Sequence, residues 1–401
     1  MIILVLNCGS SSLKYQVLDM KNEAEYSLLA KGLVERIGLE MGEITHRVPD
    51  KDKFVIDKPI PDHTEGIKSV LDLLVDPEHG VLKSLSEINA VGHRVAHGGD
   101  LFSSSAVVHS EVIEGIEKCC ELAPLHNPAN LLGIMAVRSL MPEIPQVAVF
   151  DTSFHQTMPE HAFMYAIPYE YYVLDKVRRY GFHGTSHKYV SMEVAKMLGK
   201  APEDINVITC HLGNGSSVSA VKGGKCIDTS MGFTPLDGVV MGTRTGFMDP
   251  AVVTFLMENE NLTAKEVDNV MNKKSGVFGV SGISSDFRDL SAASAEGNER
   301  AQLALDMFAY SVKKLIGSYA AALGKVDAIV FTAGIGENVS SIRTQITSGL
   351  EFMGVKIDEE KNSKRGEALD ISTADATVKT FVIPTNEELM IALDTKRLVE
   401  G

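Results

Sequence analysis

The sequence predicts an α/β protein, and two patterns along the chain indicate this class. Short apolar runs rich in β-branched residues, each followed by a turn of Gly, Ser or Asn, occur in three segments: 2–19, 206–230 and 326–346. Stretches with helical apolar spacing or helix-capping residues lie at 64–75, 110–123, 127–140, 299–323 and 387–400. Strand patterns interspersed with helix patterns of this length are typical of α/β domains.

The individual elements follow from local sequence. The first segment has apolar runs on both sides of its turn, which predicts a β-hairpin. The second predicts a strand, a turn, a second strand, a GGK turn and a third strand. The third predicts a strand entering a glycine turn that opens a helix, whose N–H groups and positive end would face an anion in that turn. Pro128 suits the first position of its helix, and the apolar face of 299–323 predicts core packing.

The first two segments also indicate a duplication. A shift of 204 residues brings three positions into register: Asn7 with His211, Gly9 with Gly213 and Ser12 with Ser216. The alternative is a chance alignment of two glycine turns. We expect a first domain at 1–150, which the last helix rejoins at 386–401, and a second domain at 151–385.

Composition and charge exclude several classes of protein. The chain has 401 residues, of which 44% are hydrophobic and 23% charged, and no apolar run approaches the roughly 18 residues of a membrane span. The 38 basic and 53 acidic residues give a net charge of −15, which disfavours nucleic acid as a partner. The five cysteines form no Cys-x-x-Cys pair, so we expect reduced thiols in a cytoplasmic protein without a signal peptide.

The three glycine turns indicate phosphate binding. Glycine lets the backbone approach phosphate oxygens, and each turn offers several N–H donors to an anion. One such turn means little, because most glycine turns only connect strands, but three of them favour a nucleotide clamp. Neither a P-loop motif nor a G-x-G-x-x-G after the first strand is present. Lys14, which follows the first turn, either reaches a phosphate or lies in solvent.

Two arginines and one histidine are the best candidates for substrate contacts. Arg94 lies in GHRVAHGGD and Arg244 in PLDGVVMGTRTGFMDP, and a guanidinium binds carboxylate or phosphate through two parallel hydrogen bonds. A surface ion pair is the alternative for each arginine. His183 lies between glycines in GFHGTSH. Its spacing from His187 matches a helical metal pair, but the glycines argue against a helix there and against zinc.

Two carboxylates at the ends of predicted elements are candidates for a metal site. Asp151 ends a predicted strand, and Glu387 begins the last helix. Carboxylates at such positions are often only caps. If both faced the glycine turns, they could hold a magnesium ion, which takes few protein ligands and several waters.

Ten stretches of the chain resemble the acetate kinases, of the superfamily that also holds sugar kinases, actin and the chaperone ATPases. They run in family order from residue 7 to residue 388: NCGSSSLKY, GHRVAHGG, APLHNP, FDTSFH, RRYGFHGTSH, HLGNGSS, MGTRTGFMDP, SSDFRD, AGIGEN and PTNEE. The resemblance implies two duplicated actin-like ATPase (ribonuclease H-like) domains with a nucleotide cleft between them, and a homodimer. It implies transfer of the ATP γ-phosphoryl group to acetate, giving acetyl phosphate and ADP, with Mg²⁺, or alternatively Mn²⁺, as cofactor.

The resemblance also implies roles for individual residues. The implied catalytic residues are Arg94, which grips the acyl substrate, Asp151, His183 and Arg244. The substrate site also includes Ala96, Leu125, Phe182 and Pro235. The implied metal ligands are Asn7 and Glu387. The implied nucleotide contacts are Lys14, His211, Leu212, Gly213, Asn214, Gly215, Asp286, Phe287, Arg288, Gly334, Ile335, Gly336, Glu337 and Asn338.

Three positions leave questions open. Phe247 stands where family members more often carry Asp, which affects the packing expected of the Arg244 loop. Ala96 stands where acetate-selective members often carry Val, so propionate is an alternative substrate. Asp151 would be a base in a kinase that acts on a hydroxyl group, whereas with a carboxylate acceptor we expect it to orient a metal-bound water or an arginine.

Two other functions remain as alternatives. A chaperone-like or actin-like ATPase would use the same clamp as a conformational switch, but it should carry a peptide-binding or filament-forming appendage, for which we find no spare domain after residue 387. A sugar kinase would phosphorylate a hydroxyl group and would form no acyl phosphate.

Overall fold

The computed structural model describes residues 1–22 and 25–401. The strands of these residues are β1 (Ile2–Cys8), β2 (Ser12–Met20), β3 (Tyr26–Glu35), β4 (Gly42–Arg47), β5 (Phe54–Lys58), β6 (Ile88–Val95), β7 (Ala106–Val107), β8 (Gln146–Phe150), β9 (Asn206–Leu212), β10 (Ser216–Lys222), β11 (Lys225–Thr229), β12 (Ala328–Thr332), β13 (Leu369–Asp370) and β14 (Lys379–Val382). The helices are α1 (His63–Leu74), α2 (Ser110–Lys118), α3 (Asn127–Leu140), α4 (Glu160–Phe163), α5 (Tyr169–Asp175), α6 (Gly184–Met197), α7 (Ala251–Asn259), α8 (Ala264–Lys273), α9 (Gly276–Ser281), α10 (Phe287–Ala295), α11 (Glu299–Leu323), α12 (Ala333–Asn338), α13 (Ser340–Thr347), α14 (Glu359–Asn362) and α15 (Glu387–Glu400). Short 3₁₀ turns lie at Leu85–Glu87, Ser153–Thr157, Pro202–Asp204 and Glu351–Met353.

The chain folds into two compact units, each with its own sheet. Met1–Phe154 and Asn386–Gly401 form the first unit, and His155–Thr385 forms the second. Both units combine a mixed sheet with helices, which confirms the predicted α/β class. The segment from Asp151 to Phe154 therefore packs within the first unit.

In the first unit the strand order is β5-β4-β3-β2-β1-β6-β8-β7, with β1, β6 and β8 parallel. Val91 of β6 joins the hydrophobic core that includes residues of α1 and α3. The next residue, Gly92, faces α15, since successive side chains of a strand point to opposite faces. A Cβ atom at Gly92 would lie 2.5 Å from Thr395 Oγ1 and 2.7 Å from Ile391 Cγ2, so glycine permits the close approach of α15.

The second unit repeats the central topology of the first. Its strand order is β11-β10-β9-β12-β14-β13, so its first five strands correspond to β3-β2-β1-β6-β8. The 204-residue shift superposes the bounds of β1 on those of β9. The two hairpins differ in one respect: four residues separate the paired Cys8 and Leu13, but only three separate Leu212 and Ser216. The second turn is therefore the tighter one.

The two faces of the second sheet have different characters. Ile208, Cys210 and Leu212 of β9 belong to a large apolar core that includes residues of α11. The alternate residues of β9 face α6, and beside the apolar Val207 they include two polar side chains, Thr209 and His211. Because alternate side chains of a strand face the same side of the sheet, Thr209 and His211 both lie buried beside the first turn of α6.

Most predicted elements are present, with two local differences. The helix predicted at 110–123 ends at Lys118, and the residues that follow it form turns. In α11 the predicted apolar face is buried except at Leu303, which is 50% exposed, and at Leu315, which is partly buried. Among the described residues, no helix is both long and apolar enough to cross a membrane.

The close approach of α15 to β6 generates a stability prediction. We expect Gly92→Ala to lower the free energy of unfolding by about 1–3 kcal/mol, because its methyl group would overlap Thr395 and Ile391. Gly317→Ala is the matched control: the added Cβ would meet nothing within 4 Å inside α11, and alanine favours a helix by about 0.5–1 kcal/mol. Thermal unfolding of both variants measures the difference. A melting temperature of Gly92→Ala at or above that of the control would contradict the packing argument.

Candidate active site

The first group of candidate residues lies at the carboxyl ends of the parallel strands of the first unit. The register that pairs Leu6 with His93 brings Asn7 and Arg94 to the ends of neighbouring strands, β1 and β6. Asp151 follows β8 directly, and its N–H group donates a 2.9 Å hydrogen bond to the carbonyl oxygen of Val95. Because β1, β6 and β8 are parallel, their carboxyl ends share one edge of the sheet, where α/β folds usually bind ligands.

Arg94 and Asp151 form a buried ion pair. Arg94 Nη2 lies 2.5 Å and Arg94 Nε 3.1 Å from Asp151 Oδ2, and the Asp151 side chain is only 2% exposed. Burial alone would lower the pKa of Arg94, but the Asp151 carboxylate outweighs this effect and raises it. Within the described residues Arg94 has no other hydrogen-bond partner, so its remaining N–H groups are available to a second anion.

Asparagine side chains of α3 fix the loop after Arg94. Asn130 Oδ1 accepts the N–H of Ala96, and Asn130 Nδ2 donates to the carbonyl oxygen of Cys8 at the end of β1. Asn127 holds His97 in the same way through both of its amide atoms. Ala96 is buried, whereas Leu125 is 74% exposed. The backbone of Ala96, two residues after Arg94, is therefore held in place by a hydrogen bond, whereas the side chain of Leu125 lies on the surface.

Glu387 opens α15 and belongs to the same unit. Asn386 caps this helix by accepting the N–H of Leu389. Burial and the negative charge of Asp151 raise the pKa of Glu387 to about 7, although Arg94 and Lys14 oppose that change. We refer to Asn7, Arg94, Asp151 and Glu387 as the Arg94 set.

The carboxylates of the Arg94 set fit a divalent cation. Asp151 Oδ1 is buried and has no hydrogen-bond partner among the described residues, which is costly unless something binds it. Glu387, whose charge is disfavoured by Asp151, would be stabilised by the same cation. In the described parts of the chain, no three His, Cys, Asp or Glu side chains are grouped as a complete metal site. The arrangement suits an ion that keeps several waters.

The second group of candidate residues surrounds the β9–β10 turn in the second unit. His211, at the end of β9, stacks on the ring of His183 with a centroid distance of 4.1 Å, and its Nδ1 lies 2.8 Å from Ser186 Oγ. Burial lowers the pKa of His211 to about 4, so the ring is neutral at pH 7. In the turn itself, Gly213 N–H donates to Ser216 Oγ. We refer to His183, His211, Arg244 and the turn Gly213–Gly215 as the His183 set.

Arg244 and His183 converge on the turn. A Cβ atom at Gly215 would lie 3.3 Å from Arg244 Nη1 and 3.6 Å from His183 Cε1. Arg244 Nη1 donates to the carbonyl oxygen of Pro235, and Arg244 forms no ion pair with any described residue. Burial lowers the pKa of Arg244, but a guanidinium remains charged at any working pH. An uncompensated cation therefore faces a glycine turn.

The structure places the other predicted nucleotide residues in two separate segments. In α12 (Ala333–Asn338), Glu337 Oε1 accepts the N–H groups of Ala333 and Thr385, and a Cβ atom at Gly334 would meet open space. Asp286 caps α10 and pairs with Arg288 at the surface. No hydrogen bond between described residues joins these two segments. The strand β12 runs directly into α12, so the predicted glycine turn is the first turn of a helix.

Several predicted nucleotide residues direct their side chains into the core. Phe287 is 4% exposed and packs edge-on against Phe308. Leu212 and Ile335 belong to the same apolar cluster, and Phe182, predicted for the substrate site, lies there too. All four side chains are therefore buried in the core of the second unit. Their predicted roles in ligand binding stay predictions.

The sequence analysis missed a buried network beside His183. Ser186 and His187 follow His183 at the third and fourth positions, which one face of a helix presents together. His187 contacts Ser217 of β10, which pairs with His211 across the hairpin. Contrary to the prediction of no helix at GFHGTSH, His187 lies in α6. The signal was present in the spacing of His183, Ser186 and His187.

Comparison with known proteins gives consistent matches along the whole chain. A profile described as the acetokinase family matches residues 2–393. The acetate kinase of Thermoanaerobacter pseudethanolicus is 61% identical over 400 residues, covering 100% of this chain and 99% of that protein. The crystal structure of Porphyromonas gingivalis acetate kinase matches with a TM-score of 0.96 and 49% identity over 99% of both chains. A propionate kinase from Francisella tularensis matches with a TM-score of 0.91 and 44% identity, again over 99% of both chains.

The raised pKa of Glu387 predicts a particular dependence of stability on pH. The folded-state pKa of about 7 exceeds the ordinary value of 4.5, so the stabilisation from the protonated carboxyl group is present at low pH and is lost as pH rises through 7. In chelator-treated buffer we expect wild type and Glu387→Gln to melt at similar temperatures near about pH 5, and the variant to melt higher near about pH 8. Thermal unfolding at both pH values measures this. An offset of equal size at both would contradict the assignment.

Proposed function

The chain belongs to the acetokinase family, and from this membership we propose that it transfers the γ-phosphoryl group of ATP reversibly to acetate, giving acetyl phosphate and ADP. The observation that carries this conclusion is the match over nearly the whole chain to acetate kinases at about 60% identity. The resemblance stated from the sequence is thus confirmed. The alternatives of a sugar kinase and of a chaperone-like or actin-like ATPase are correspondingly disfavoured.

The Arg94 set supplies what a carboxylate acceptor needs. Acetate is ionised at neutral pH, so the nucleophile requires no general base. Arg94 would bind it through the N–H groups that Asp151 leaves unused, and the ion pair with Asp151 fixes the orientation of the guanidinium. This geometry supports the role of Asp151 in orienting an arginine. Ala96, Leu125, Phe182 and Pro235 remain proposed contributors to the substrate site.

The His183 set supplies donors for the transferring phosphoryl group. In phosphoryl transfer the negative charge spreads over the equatorial oxygens, and preorganised donors lower the barrier. Arg244, which has no carboxylate partner among the described residues, and His183 would bind these oxygens above the β9–β10 turn. The N–H groups of Gly213–Gly215, together with His211 and Lys14, would contact the nucleotide phosphates.

For the nucleoside, we propose the segments Gly334–Asn338 and Asp286–Arg288. Gly334 leaves open space beside the first turn of α12, and N–H groups at the start of a helix have no acceptor within that helix. The surface pair of Asp286 and Arg288 offers polar groups at the start of α10. Since Phe287 and Ile335 are core residues, only their backbones would take part.

Kinases of this kind generally need a divalent cation, and we propose Mg²⁺, with Mn²⁺ as a substitute. Asn7 and Glu387 would hold it, and the unpartnered Asp151 Oδ1 suits one of its water ligands. When bound, the cation neutralises part of the charge on the nucleotide phosphates. The side-chain oxygen atoms of these three residues, Asn7, Asp151 and Glu387, would hold the cation and its water ligands in position.

Propionate is the second candidate substrate, and two observations favour it. The chain is similar to a Francisella tularensis propionate kinase. Ala96 is smaller than the valine expected of acetate-selective members, and its backbone is held in place by Asn130. A smaller side chain at this position would leave room for one more substrate carbon.

We also propose that the chain forms a homodimer. Two helices of the second unit, α5 and α7, bury none of their residues. Large apolar side chains on them are exposed: Tyr169 at 64%, Leu174 at 75% and Phe255 at 60%. Exposed apolar clusters of this kind mark interaction surfaces, and closed pairs are the commonest assemblies. Light scattering, which compares the mass in solution with the 43.4 kDa of a single chain, tests the dimer.

The cytoplasmic location expected from the sequence stays a prediction.

A hydroxylamine assay tests the proposed activity. With ATP, Mg²⁺ and acetate, we expect the protein to form acetyl phosphate, which hydroxylamine traps as a hydroxamate, and to form none with glycerol. Arg244→Ala should lower kcat at least about 100-fold while ATP still binds, because a transition-state charge contact is lost. Arg138→Ala, which removes an exposed arginine of α3, is the matched control and should match wild type. The absence of hydroxamate with wild type and any short carboxylic acid would refute the proposal.

Substitution at Ala96 tests the substrate preference. We expect kcat/KM for propionate to lie within about tenfold of that for acetate, since pockets discriminate one methylene by only about 10–200-fold. Ala96→Val should lower turnover of propionate much more than turnover of acetate, because the two added methyl groups fill the space for the extra carbon. Steady-state kinetics with both acids measure the ratio. If Ala96→Val affected both acids equally, Ala96 would not line the acyl pocket.

A further inference from the structure

A continuous chain of side-chain hydrogen bonds leads from the interior of the second unit to His183. Thr209 Oγ1 lies 2.7 Å from His187 Nδ1, and His187 Nε2 lies 2.7 Å from Ser217 Oγ. Ser217 Oγ in turn lies 2.9 Å from His183 Nδ1. Thr209, His187 and Ser217 are each 0% exposed. Solvent does not reach these three side chains, so each of their polar groups relies on its neighbour in the chain for a hydrogen-bond partner.

The folding pattern explains why these residues meet. Thr209 of β9 and Ser217 of β10 point to the same face of the sheet, because His211, which pairs with Ser217, is two residues from Thr209. His183 and His187 lie four positions apart at the start of α6 and share one helix face. That face packs on the polar side of β9. The hydroxyl group of Ser217 is therefore placed between the two imidazoles.

The protonation of His187 is fixed by its surroundings. Burial, reinforced by the neighbouring His155 and His211, lowers the pKa of His187 well below its usual range, so the ring is neutral and carries one N–H. Thr209 Oγ1 has two acceptors within reach: His187 Nδ1 at 2.7 Å and the carbonyl oxygen of Ser219 at 3.5 Å. The 2.7 Å contact allows two directions: Thr209 donates to His187 Nδ1, or His187 Nδ1 donates to Thr209, which then donates to the Ser219 carbonyl oxygen.

The first of these directions fixes the remaining bonds, and it is the one that gives His183 a donor toward the β9–β10 turn. When Thr209 donates to His187 Nδ1, the His187 proton is on Nε2 and is donated to Ser217 Oγ. The Ser217 hydroxyl proton is then directed to Nδ1 of His183. A neutral His183 that accepts at Nδ1 carries its own proton on Nε2. This nitrogen faces the β9–β10 turn, 3.7 Å from where a Cβ atom of Gly215 would lie.

We propose that His187 and Ser217 are positioning residues that hold His183 as its Nε2–H tautomer, so that a neutral His183 donates a hydrogen bond to the transferring phosphoryl group. No proton is transferred in this step, and the donor is present before the nucleotide binds. The proposal deepens the function proposed above and rests on it. It assigns a purpose to two buried residues that contact neither substrate.

The backbone of His183 supports a need for such restraint. Its φ of 55° and ψ of 25° place it in the left-handed region, which is unfavourable for residues other than glycine. The strained backbone sets the direction of the side chain, and the ring is then held from two sides. His211 stacks on one face, and Ser217 binds Nδ1. The stacking of His211 and the hydrogen bond from Ser217 together restrain the orientation of the His183 ring.

Ser217→Ala is the direct test, with Ser219→Ala as the matched control. Both serines are on the same face of β10, both are 0% exposed, and both make a buried hydroxyl bond, but the Ser219 hydroxyl bonds to Thr229 and touches no histidine. We expect Ser217→Ala to lower kcat at least about tenfold, with KM for ATP and acetate changed less than about threefold. Ser219→Ala should stay within about threefold of wild type in all three constants.

Two further comparisons separate positioning from general structural damage. In a His183→Ala background, Ser217→Ala should have no additional effect on kcat, because its target is gone. His187→Gln keeps an N–H donor for Ser217 and should retain more activity than His187→Leu, which removes it. Equal loss in Ser217→Ala and Ser219→Ala, or full additivity with His183→Ala, would overturn the proposal.

A spectroscopic measurement addresses the tautomer without turnover. In protein labelled with ¹⁵N-histidine, the resonance missing from His183→Gln identifies His183, and its two nitrogen shifts distinguish Nε2–H from Nδ1–H. We expect the Nε2–H form in wild type and a shift toward the other tautomer in Ser217→Ala. An Nδ1–H form in wild type would overturn the proposal. If instead wild type formed no acyl phosphate, the proposed function would fail while this measurement still decided the tautomer.

Discussion

Parallel pairing of a few central strands is the constraint on which both groups of functional residues depend. In the first unit the carboxyl ends of β1, β6 and β8 share one sheet edge, so that Arg94 and Asp151, 57 positions apart in the chain, meet at hydrogen-bond distance. In the second unit the parallel pair of β9 and β12 places His211 opposite Thr332, where the glycine turn and α12 begin. In each unit, strand direction and register together bring distant residues to one edge of the sheet.

The electrostatics of the Arg94 set follow from a shortage of positive charge. Asp151 and Glu387 are two carboxylates beside one guanidinium, and the ion pair satisfies only Asp151 Oδ2. Burial makes a second negative charge costly, and the result is a Glu387 pKa near 7 rather than an ionised pair. A bound cation would remove both costs at once. This is why the geometry of these carboxylates favours a divalent ion more strongly than their sequence positions did.

The sequence was sufficient for the elements and the fold class, and insufficient for side-chain partners. The hairpin at 2–19, the helix at 127–140 and the strands of 206–230 have strong local patterns, and all form as expected. The motifs also singled out Arg94 and His183, although Arg94 lies in strand β6 and not in a loop. What the sequence left open was which residues meet: the pairing of Asp151 with Arg94 depends on strand register, which no local pattern encodes.

The same limit applies to the orientation of side chains. Phe287 stands between Asp286 and the exposed Arg288 in a motif predicted to contact the nucleotide, and its own side chain packs against Phe308. Adjacent residues at the start of a helix point in different directions, so one position of a motif faces solvent while its neighbour fills the core. The spacing of His183 and His187 matches a helical metal pair, which the sequence analysis disfavours, and the structure shows that both rings instead contact Ser217, which is distant in sequence.

The His183 set divides its work between one charge and several dipoles. Burial keeps His211 neutral, and the guanidinium of Arg244 has no carboxylate partner among the described residues. Neutral imidazole and backbone N–H groups bind a phosphate without the cost of desolvating further charges, and they hold it less strongly than cations would. A reversible kinase must release a product almost as anionic as its substrate. In the proposed function, fixed neutral donors around the Arg244 guanidinium would meet this requirement, because they would stabilise charge as it spreads without binding either nucleotide too tightly.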